Sequence, residues 1–535
     1  MPEPSRQSPR LLAVPAALLA IAAGVLLWLW TLSGLAPQWQ YIGSYVTVLL
    51  TGLGLAGWWL LLSGLPWRHR LVPLGAALLL LVLVAGLVRV RGVTGDWKPV
   101  LEWRFARTPE LGAVADSGGA IADPGGAVAD RIDDVDLSSP AAFPGFLGPH
   151  RDSTVTGLAL ATDWEATSPV KRWQRRVGAG WGGVAIAGAT AFTLEQRGEL
   201  ETVVAYDLET GAEVWSHAER ARFSNPIAGP GPRTTPAIAP DRVFTLGATG
   251  LLSALDRRTG ALLWQRDVIA EHGASIPEHG KTSSPLLLGD PQNGLVVVSA
   301  GGPDGRSLVA YRRLDGALAW TGGDDRSGYA SPVILTLDGA AQIVSFNAAS
   351  VTGHALEDGR VLWSFPWTHE WPNVAPPLQL GPTSLLVSTG YGIGASRLEA
   401  THTGDGWKVE EAWHSPRLKA KFTNLVAYRG SVYGLDEGVL VCLDPETGER
   451  RWRAGRYGHG NLLLIGALLL VQTEKGDLVL IEPGPEELIE LGRFTALPGK
   501  AWNHLALARP RHRALVVVRN DREMALWELP LRGES

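Results

Sequence analysis

The stretch Ala254-Leu-Asp-Arg-Arg-Thr-Gly260-Ala-Leu-Leu-Trp264 decides the fold, because close copies of it recur along the chain. In each copy an alternating strand leads into a tight turn, in which the Asp side chain can accept bonds from the following amides and the Gly takes a positive φ. The next strand carries the tryptophan. Each copy therefore predicts a β-hairpin. Clear copies end at Trp215, Trp320, Trp363 and Trp452, and a degenerate copy with a longer loop ends at Trp413.

The spacing of the copies predicts a propeller. Their tryptophans lie roughly 40 to 55 residues apart, as in four-stranded blades, and two further strands precede each hairpin. A seventh blade runs from Asn461 to about Phe494, with Leu491 in the place of the tryptophan. An eighth supplies three strands from Trp502 to about Leu529, and residues 170–174 can complete it as the outer strand. We therefore predict an all-β, eight-bladed propeller over residues 143–530.

The motif tryptophans are predicted to be structural. A large ring at a fixed place in each outer strand can pack between neighbouring blades and bury on the order of 150–250 Å². This interpretation is favoured over ligand binding. It covers Trp173, Trp215, Trp264, Trp320, Trp363, Trp413 and Trp452.

Three uncharged apolar runs precede the repeats, at residues 11–32, 44–65 and 71–88. A bilayer needs about 20 apolar residues to be crossed by a helix. We therefore predict a short cytoplasmic N-terminus at 1–10, a three-helix membrane anchor at 11–92 and a flexible linker rich in Gly, Ala and Asp at 93–142. The alternative of a cleaved signal peptide is disfavoured, because the first run is longer than a typical signal core and two more runs follow.

Positive charges give a divided prediction of orientation. Arg6 and Arg10 before the first helix, and Arg68 and Arg70 between the second and third, favour the cytoplasm. Three crossings then place the propeller outside, in the periplasm if the chain lies in a bacterial inner membrane. The basic residues that follow the third helix oppose this: Arg89, Arg91, Lys98, Arg104 and Arg107.

The repeated phrase resembles that of the pyrroloquinoline-quinone-like (PQQ-like) repeat propellers. That family includes quinoprotein alcohol and glucose dehydrogenases and the non-catalytic lipoprotein propeller of outer-membrane assembly. The resemblance covers about 143–530, and the segment from Phe143 to Asp152 looks like the opening of a bacterial subgroup. So do residues 231–236, 417–424 and 456–460.

For the dehydrogenases, the resemblance implies a quinone held between a tryptophan and a disulfide of adjacent cysteines. A calcium ion bound by Glu, Asn and Asp, and an Asp base, complete that site. Cys442 is the single cysteine here, and no Cys-x-x-Cys-His haem motif is present. We therefore predict no cofactor, and PQQ with calcium belongs to an alternative interpretation.

Several polar residues stand just ahead of innermost strands without being required by the repeat. They could converge on one mouth of the central channel, where propellers bind ligands. The alternative, which we favour, is that they satisfy loop carbonyls and one another. No metal-ligand spacing, phosphate loop or nucleophile elbow accompanies them. The candidates are Arg233, Asp324, Asp325, Arg326, Asn373, Lys419, Lys421, His459 and Asn503.

The predicted function is a membrane-anchored binding or scaffold module at the cell envelope, with a protein partner or a small ligand. A net charge of -5 gives no basic field for nucleic acid. The alternative is a PQQ-dependent alcohol or sugar dehydrogenase that feeds membrane quinone.

Overall fold

A computed structural model describes residues 9–105, 137, 142–290 and 293–533. The chain divides into two compact units, Met1–Thr108 and Pro109–Ser535. The first unit is mainly helical, and the second consists almost entirely of strands.

The first unit begins with three helices, α1 (Pro9–Thr31), α2 (Pro37–Leu62) and α3 (Trp67–Leu87). All three are long and apolar enough to cross a membrane. They match the three apolar runs of the sequence. A β-hairpin of Val88–Val93 and Pro99–Trp103 follows α3 without a break.

This hairpin is where the structure differs from the sequence prediction, since it occupies the first part of the predicted flexible linker. Apolar and charged residues alternate along both of its strands, which is the pattern of paired strands with two different faces. Residues 106–136 and 138–141 of the predicted linker lie outside the described residues, so its flexibility stays a prediction.

Among its described residues, the second unit contains eight sheets that form blades, each with four antiparallel strands counted from the innermost outward, and Thr154–Val155 adds a parallel fifth strand at the inner edge of blade 7. The sequence-based prediction of an eight-bladed propeller is therefore confirmed. A short helix, α4 (Val268–His272), follows blade 2. The strands of the first four blades are Ala185–Ala187, Thr190–Arg197, Leu200–Asp207 and Glu213–Glu219; Ala237–Ile238, Arg242–Leu246, Leu251–Asp256 and Leu262–Asp267; Leu286–Leu288, Leu295–Gly302, Arg306–Arg312 and Leu318–Gly322; and Val333–Leu337, Ala340–Phe346, Ser350–His354 and Val361–Pro366.

The remaining blades complete the ring. Their strands are Leu378–Gln379, Ser384–Thr389, Gly394–Thr403 and Gly406–Ser415; Val426–Tyr428, Ser431–Asp436, Val439–Leu443 and Arg450–Arg456; Asn461–Ile465, Leu468–Gln472, Asp477–Glu482 and Ile489–Thr495; and Ala506–Ala508, Ala514–Arg519, Glu523–Leu529 and Val170–Arg176. A small two-stranded sheet, Ser224–Asn225 with Gly229–Pro230, follows blade 1.

The last blade takes its outermost strand from the beginning of the propeller. Val170–Arg176 pairs antiparallel with Glu523–Leu529, and Trp173 stands opposite Leu526. The pairing predicted for residues 170–174 is therefore present, and it leaves no open sheet edge between the two chain ends. A single hydrophobic cluster also joins blades 1, 7 and 8.

The hairpin turns form as the repeated phrase predicts. In blade 1, Asp207 Oδ1 accepts bonds from the backbone N of Thr210 at 2.8 Å and from its hydroxyl at 2.7 Å. Asp256 and Asp444 bond the amides of their own turns in the same way. Gly260 closes its turn at φ +73°, and a Cβ there would lie 2.5 Å from the ring of Trp215 in the preceding blade.

Most motif tryptophans lie against the turn of the next blade. The indole N–H donates to a backbone carbonyl there at 2.9–3.1 Å, in the pairs Trp173–Leu208, Trp215–Arg257, Trp264–Arg313, Trp413–Pro445 and Trp452–Gly484. Trp320 packs against Gly359 of the next turn. This is the geometry that the inter-blade interpretation requires.

Trp363 is the exception, and its neighbour explains it. The sequence predicts a longer loop around Gly404 in blade 5, which follows it, but that prediction is wrong: the two strands of this hairpin are longer and close in a two-residue turn at 404–405, with Thr403 opposite Gly406. The indole N–H of Trp363 instead donates to Gln342 Oε1 of its own blade at 2.6 Å. Leu491 stands in the place of the tryptophan in blade 7. The next blade has no tight turn beside it, because the two outer strands of blade 8 come from opposite ends of the propeller and share no turn.

Candidate functional site

The central channel is lined by the innermost strands, which all run from one face of the ring, here called the entry face, to the other, the turn face. Residues 142–155, here called the entry segment, run inside this channel. Phe143 bridges Ile186 of blade 1 in the antiparallel sense, whereas Thr154–Val155 pairs in parallel with blade 7. The segment therefore enters from the turn face, reverses, and leaves by the same face.

The reversal of the entry segment is fixed by contacts with several blades. Arg151 donates to the carbonyls of Pro285 at 2.7 Å and Ser284 at 3.1 Å in blade 3. Ser153 accepts a bond from Asn424 of blade 6 at 2.6 Å. The ring of Phe146 meets that of His504 in blade 8, with centroids 4.7 Å apart. Burial lowers the pKa of Arg151 to about 9 and that of His504 to about 4.

Aromatic side chains cover much of the channel at the entry face. Trp371 stacks on Tyr391 at 4.9 Å, Tyr391 meets Phe422 at 6.4 Å, Phe422 meets Trp502 at 5.1 Å, and Trp502 meets Trp181 at 4.9 Å. We call these five residues the aromatic arc. Because Phe422 precedes blade 6 and Trp502 precedes blade 8, their contact crosses the entrance of blade 7.

Cations lie on the faces of these rings. Lys421 Nζ is 4.5 Å from the centre of Tyr391, and Lys500 Nζ is 3.9 Å from that of Trp502. Burial, followed by the charge of Glu437, raises the pKa of Tyr391. The entry face therefore combines aromatic surface with positive charge, a pairing that stabilises cations over ring faces.

The structure brings the sequence-predicted site residues into two groups. Lys421 and His459 both meet Phe422 of the aromatic arc, and Asn503 follows Trp502. The second group surrounds Asn347 of blade 4. There Asn373 donates to the Asn347 carbonyl at 2.7 Å, Asp325 accepts from the amide of Ala349 at 2.9 Å, and the Arg326 carbonyl accepts from the amide of Ala348 at 3.0 Å.

Three candidates stand apart from both groups. Asp324 accepts a bond from the backbone N of Gly305 in blade 3. Lys419 lies 2.6 Å from Asp436 and donates to the Pro416 carbonyl at 2.8 Å. Arg233 lies over Phe223 at 4.9 Å and donates to the carbonyl of Gly229 at 3.1 Å. Burial lowers the pKa of Arg233 to about 10, which nearby Glu201 partly opposes.

The polar contacts of these candidates go largely to backbone. Asn503 donates to the Gly182 carbonyl at 2.7 Å in blade 1, and Asn373 bonds blade 4 as above. Arg233 and Lys419 likewise bond carbonyls. These contacts agree with the interpretation that the residues satisfy loop carbonyls ahead of the innermost strands. Ligand binding at the mouth of the channel stays a prediction.

Two buried cations were missed by the sequence analysis. Lys281 stands at the entry of blade 3, and its Nζ donates to the carbonyls of Ser299 at 3.0 Å and Ala300 at 2.6 Å. Burial lowers the pKa of Lys281 to about 7. Arg519 of blade 8 reaches the carbonyls of Leu194 at 2.9 Å and Gly178 at 3.2 Å in blade 1. Lys281 could have been found from its alignment with Arg233 and Lys421 ahead of innermost strands.

A cavity of about 280 Å³ remains in the channel, between the entry segment and the innermost strands of blades 4 to 6. Arg151 and Asp152 line it on one side, and Ile334, Leu378 and Ala427 line it on the other. It is therefore lined by both polar and apolar residues.

The chain cannot supply the disulfide of adjacent cysteines that holds the quinone in the dehydrogenases, because it has a single cysteine. Cys442 lies buried in the third strand of blade 6, paired with Tyr433 of the neighbouring strand, and not in the channel. Across the described residues, no group of three or more His, Cys, Asp or Glu side chains is placed to hold a metal ion. The entry segment occupies part of the channel from one side and leaves the cavity beside it, and the aromatic arc lies at the other side.

Comparisons with known proteins agree with this architecture. A family model described as "Outer membrane protein assembly factor BamB" (PQQ_2) matches residues 199–454. The BamB protein of Yersinia pestis is 27% identical over 324 residues, which cover 58% of this chain and 67% of that protein.

Among solved structures, the quinohemoprotein alcohol dehydrogenase of Comamonas testosteroni is similar with a TM-score of 0.55. It is 11% identical, and the match covers 77% of this chain and 85% of that one. BamB of Moraxella catarrhalis has a TM-score of 0.48 at 15% identity, covering 68% of this chain and 100% of that one. The first of these likenesses shows a shared fold, and the predicted resemblance to PQQ-like repeat propellers is confirmed.

Proposed function

We propose that this eight-bladed propeller, which resembles the PQQ-like repeat propellers, is a non-catalytic binding or scaffold module held at the cell envelope by its three helices. The observation that carries the proposal is the occupied channel. Phe143 to Val155 take up the axis from the turn face, and the aromatic arc covers it at the entry face. A planar cofactor on the axis would have to fit the cavity that remains beside the entry segment or displace that segment.

The proposed partner is a protein that binds the entry face. The arc offers aromatic rings with Lys421 and Lys500 beside them, and aromatic and cationic side chains are enriched at protein interfaces. BamB, named as an outer membrane protein assembly factor, supports a role of this kind by similarity.

The proposed location is a bacterial inner membrane with the propeller in the periplasm. Two of the basic residues that oppose this orientation are paired with acids inside the hairpin, Arg89 with Glu102 at 3.0 Å and Lys98 with Asp96 at 3.8 Å. The proposal therefore follows the basic residues before α1 and between the second and third apolar runs, which the charge rule assigns to the cytoplasm. In spheroplasts, a membrane-impermeant maleimide should label a Thr447→Cys variant without lysis, since Thr447 is exposed and Cys442 is buried. Labelling only after lysis would contradict the periplasmic orientation.

Partner binding can be tested with photo-crosslinking residues in living cells. A crosslinker replacing Trp371 on the aromatic arc should give a discrete protein adduct, whereas one replacing Thr447 on the turn face should not. Equal adducts from both positions, or none from Trp371, would argue against an entry-face partner.

The alternative, a PQQ-dependent dehydrogenase, is tested by titrating the full-length chain in detergent with PQQ and Ca²⁺ in a calorimeter. We expect no saturable heat. Tight binding, with dye reduction when alcohols or sugars are added, would replace the scaffold proposal by the enzyme.

A further inference from the structure

The hairpin of Val88–Val93 and Pro99–Trp103 is fixed against the end of α3. The backbone N of Arg104 donates to the Leu87 carbonyl at 2.7 Å, and its guanidinium donates to the Ala85 carbonyl at 3.0 Å. The hairpin therefore extends from the last turn of the helix in a defined orientation, and does not begin a free linker.

The two faces of this hairpin differ in chemistry. Val90 stands opposite Leu101 and Val88 opposite Trp103, so their side chains share one face. On that face Val90 is 62%, Leu101 63% and Trp103 52% exposed. Phe105, 66% exposed, adds a ring 6.4 Å from that of Trp103.

The opposite face of the hairpin is charged. Arg89 stands opposite Glu102, and the two side chains form an ion pair at 3.0 Å. Alternation along the strands therefore separates a continuous apolar face from a polar one.

The length of α3 places this apolar face at a particular depth. Arg68 and Arg70 occupy its first turn and belong outside the hydrocarbon, so its uncharged part, residues 71–87, spans about 26 Å at 1.5 Å per residue, slightly less than the roughly 30 Å of a bilayer's hydrocarbon core. Trp67, 62% exposed, begins the helix at one boundary. Val88 and Trp103 then lie at the other boundary, where tryptophan is favoured because its ring is amphipathic.

We propose that the face formed by Val90, Leu101, Trp103 and Phe105 binds the lipid surface, in the boundary between headgroups and acyl chains beside α3. Arg89 and Glu102 then face water. The proposal rests on the proposed membrane anchoring. A helix end followed by an exposed apolar face has lipid as its immediate neighbour, which is the reason for choosing lipid as the occupant.

The test compares adjacent residues on the two faces. In a Cys442→Ala background, Leu101→Cys and Glu102→Cys are labelled with an environment-sensitive fluorophore in the full chain. The chain is reconstituted into phosphatidylcholine–phosphatidylglycerol vesicles containing a spin-labelled lipid. Leu81→Cys, at a site 66% exposed in α3, reports on the anchoring itself.

We expect the lipid quencher to reduce the emission at positions 81 and 101 and to leave position 102 unchanged. Val90→Cys should repeat the result for 101 if that variant folds poorly. Quenching at 81 but not at 101 or 90 would overturn the hairpin proposal alone. Protection of 101 from both lipid and aqueous quenchers would show that protein covers the face and would also overturn it. No quenching at 81 would overturn the membrane anchoring and this inference with it.

Discussion

Replacing Trp215 with alanine should destabilise the propeller by about 4 kcal/mol. The side chain is fully buried, its ring meets that of Phe192 at 5.8 Å, and its N–H donates to the Arg257 carbonyl at 3.0 Å. Burying on the order of 200 Å² at about 25 cal/mol/Å² gives about 5 kcal/mol, an upper value because the unfolded chain is partly collapsed. The lost hydrogen bond adds about 1 kcal/mol.

Cys442 provides the assay. It is the single cysteine, it is buried, and it lies in blade 6, away from Trp215 in blade 1. Because the ring is closed, its blades should unfold together, so thiol labelling of the full-length chain against urea should report the loss in blade 1. Trp215→Phe should lose about half as much, and Leu262→Ala, at a site 43% exposed, less than about 1 kcal/mol. A change below about 1 kcal/mol for Trp215→Ala would refute the inter-blade role of this tryptophan.

Three further predictions concern the turns, the ring closure and the channel. Gly260→Ala should be more destabilising than Gly305→Ala by about 2 kcal/mol in the same urea assay, because both have positive φ but a Cβ at 260 meets Trp215, whereas nothing lies within 4 Å at 305. Equal losses of stability in the two variants would contradict the contact between position 260 and Trp215. Arg519→Met should lower the free energy of unfolding by about 2–4 kcal/mol, because carbonyls of blade 1 lose a charged donor. The control Arg532→Met, at an exposed site, should change it little. An equal loss of stability in the two variants would show that Arg519 does not contribute to closing the ring. The pKa of His504 is about 4 in the folded chain and about 6.5 when unfolded, so the unfolded state binds its proton first as the pH falls. Stability should therefore decrease from pH 6.5 to 4 by up to about 3 kcal/mol more in the wild type than in His504→Phe. If the urea midpoints of the wild type and of His504→Phe change in parallel between pH 6.5 and pH 4, this prediction is wrong.

The sequence predicts the propeller well because its repeated unit records a local geometry. Asp256 and Gly260 are set by one turn, and Trp264 by the turn of the next blade. These short-range requirements are the same in successive blades, so the same residue pattern recurs along the chain. The tryptophan is absent at Leu491, where the next blade has no such turn, whereas Trp363 is retained before blade 5 and bonds Gln342 of its own blade.

The interior of the channel is less predictable. Lys421 and Asn503 were selected because each precedes an innermost strand, which locates them at one face but does not give their partners. The contact of Phe422 with Trp502 joins residues of non-adjacent blades, and no local pattern encodes it. The path of Phe143 into the channel cannot be predicted for the same reason, since it pairs with Ile186 of blade 1 by a single isolated bridge.

The entry segment connects these observations to the proposed function. It occupies part of the channel, and the chain that follows it supplies, at residues 170–176, the strand that closes the ring. Ring closure and channel filling therefore involve the same stretch of chain, and emptying the axis for a cofactor would disturb the contacts of Phe146, Arg151 and Ser153 with three blades. A propeller built in this way presents its outer faces and not its axis, and this favours recognition of a partner over chemistry on a bound quinone.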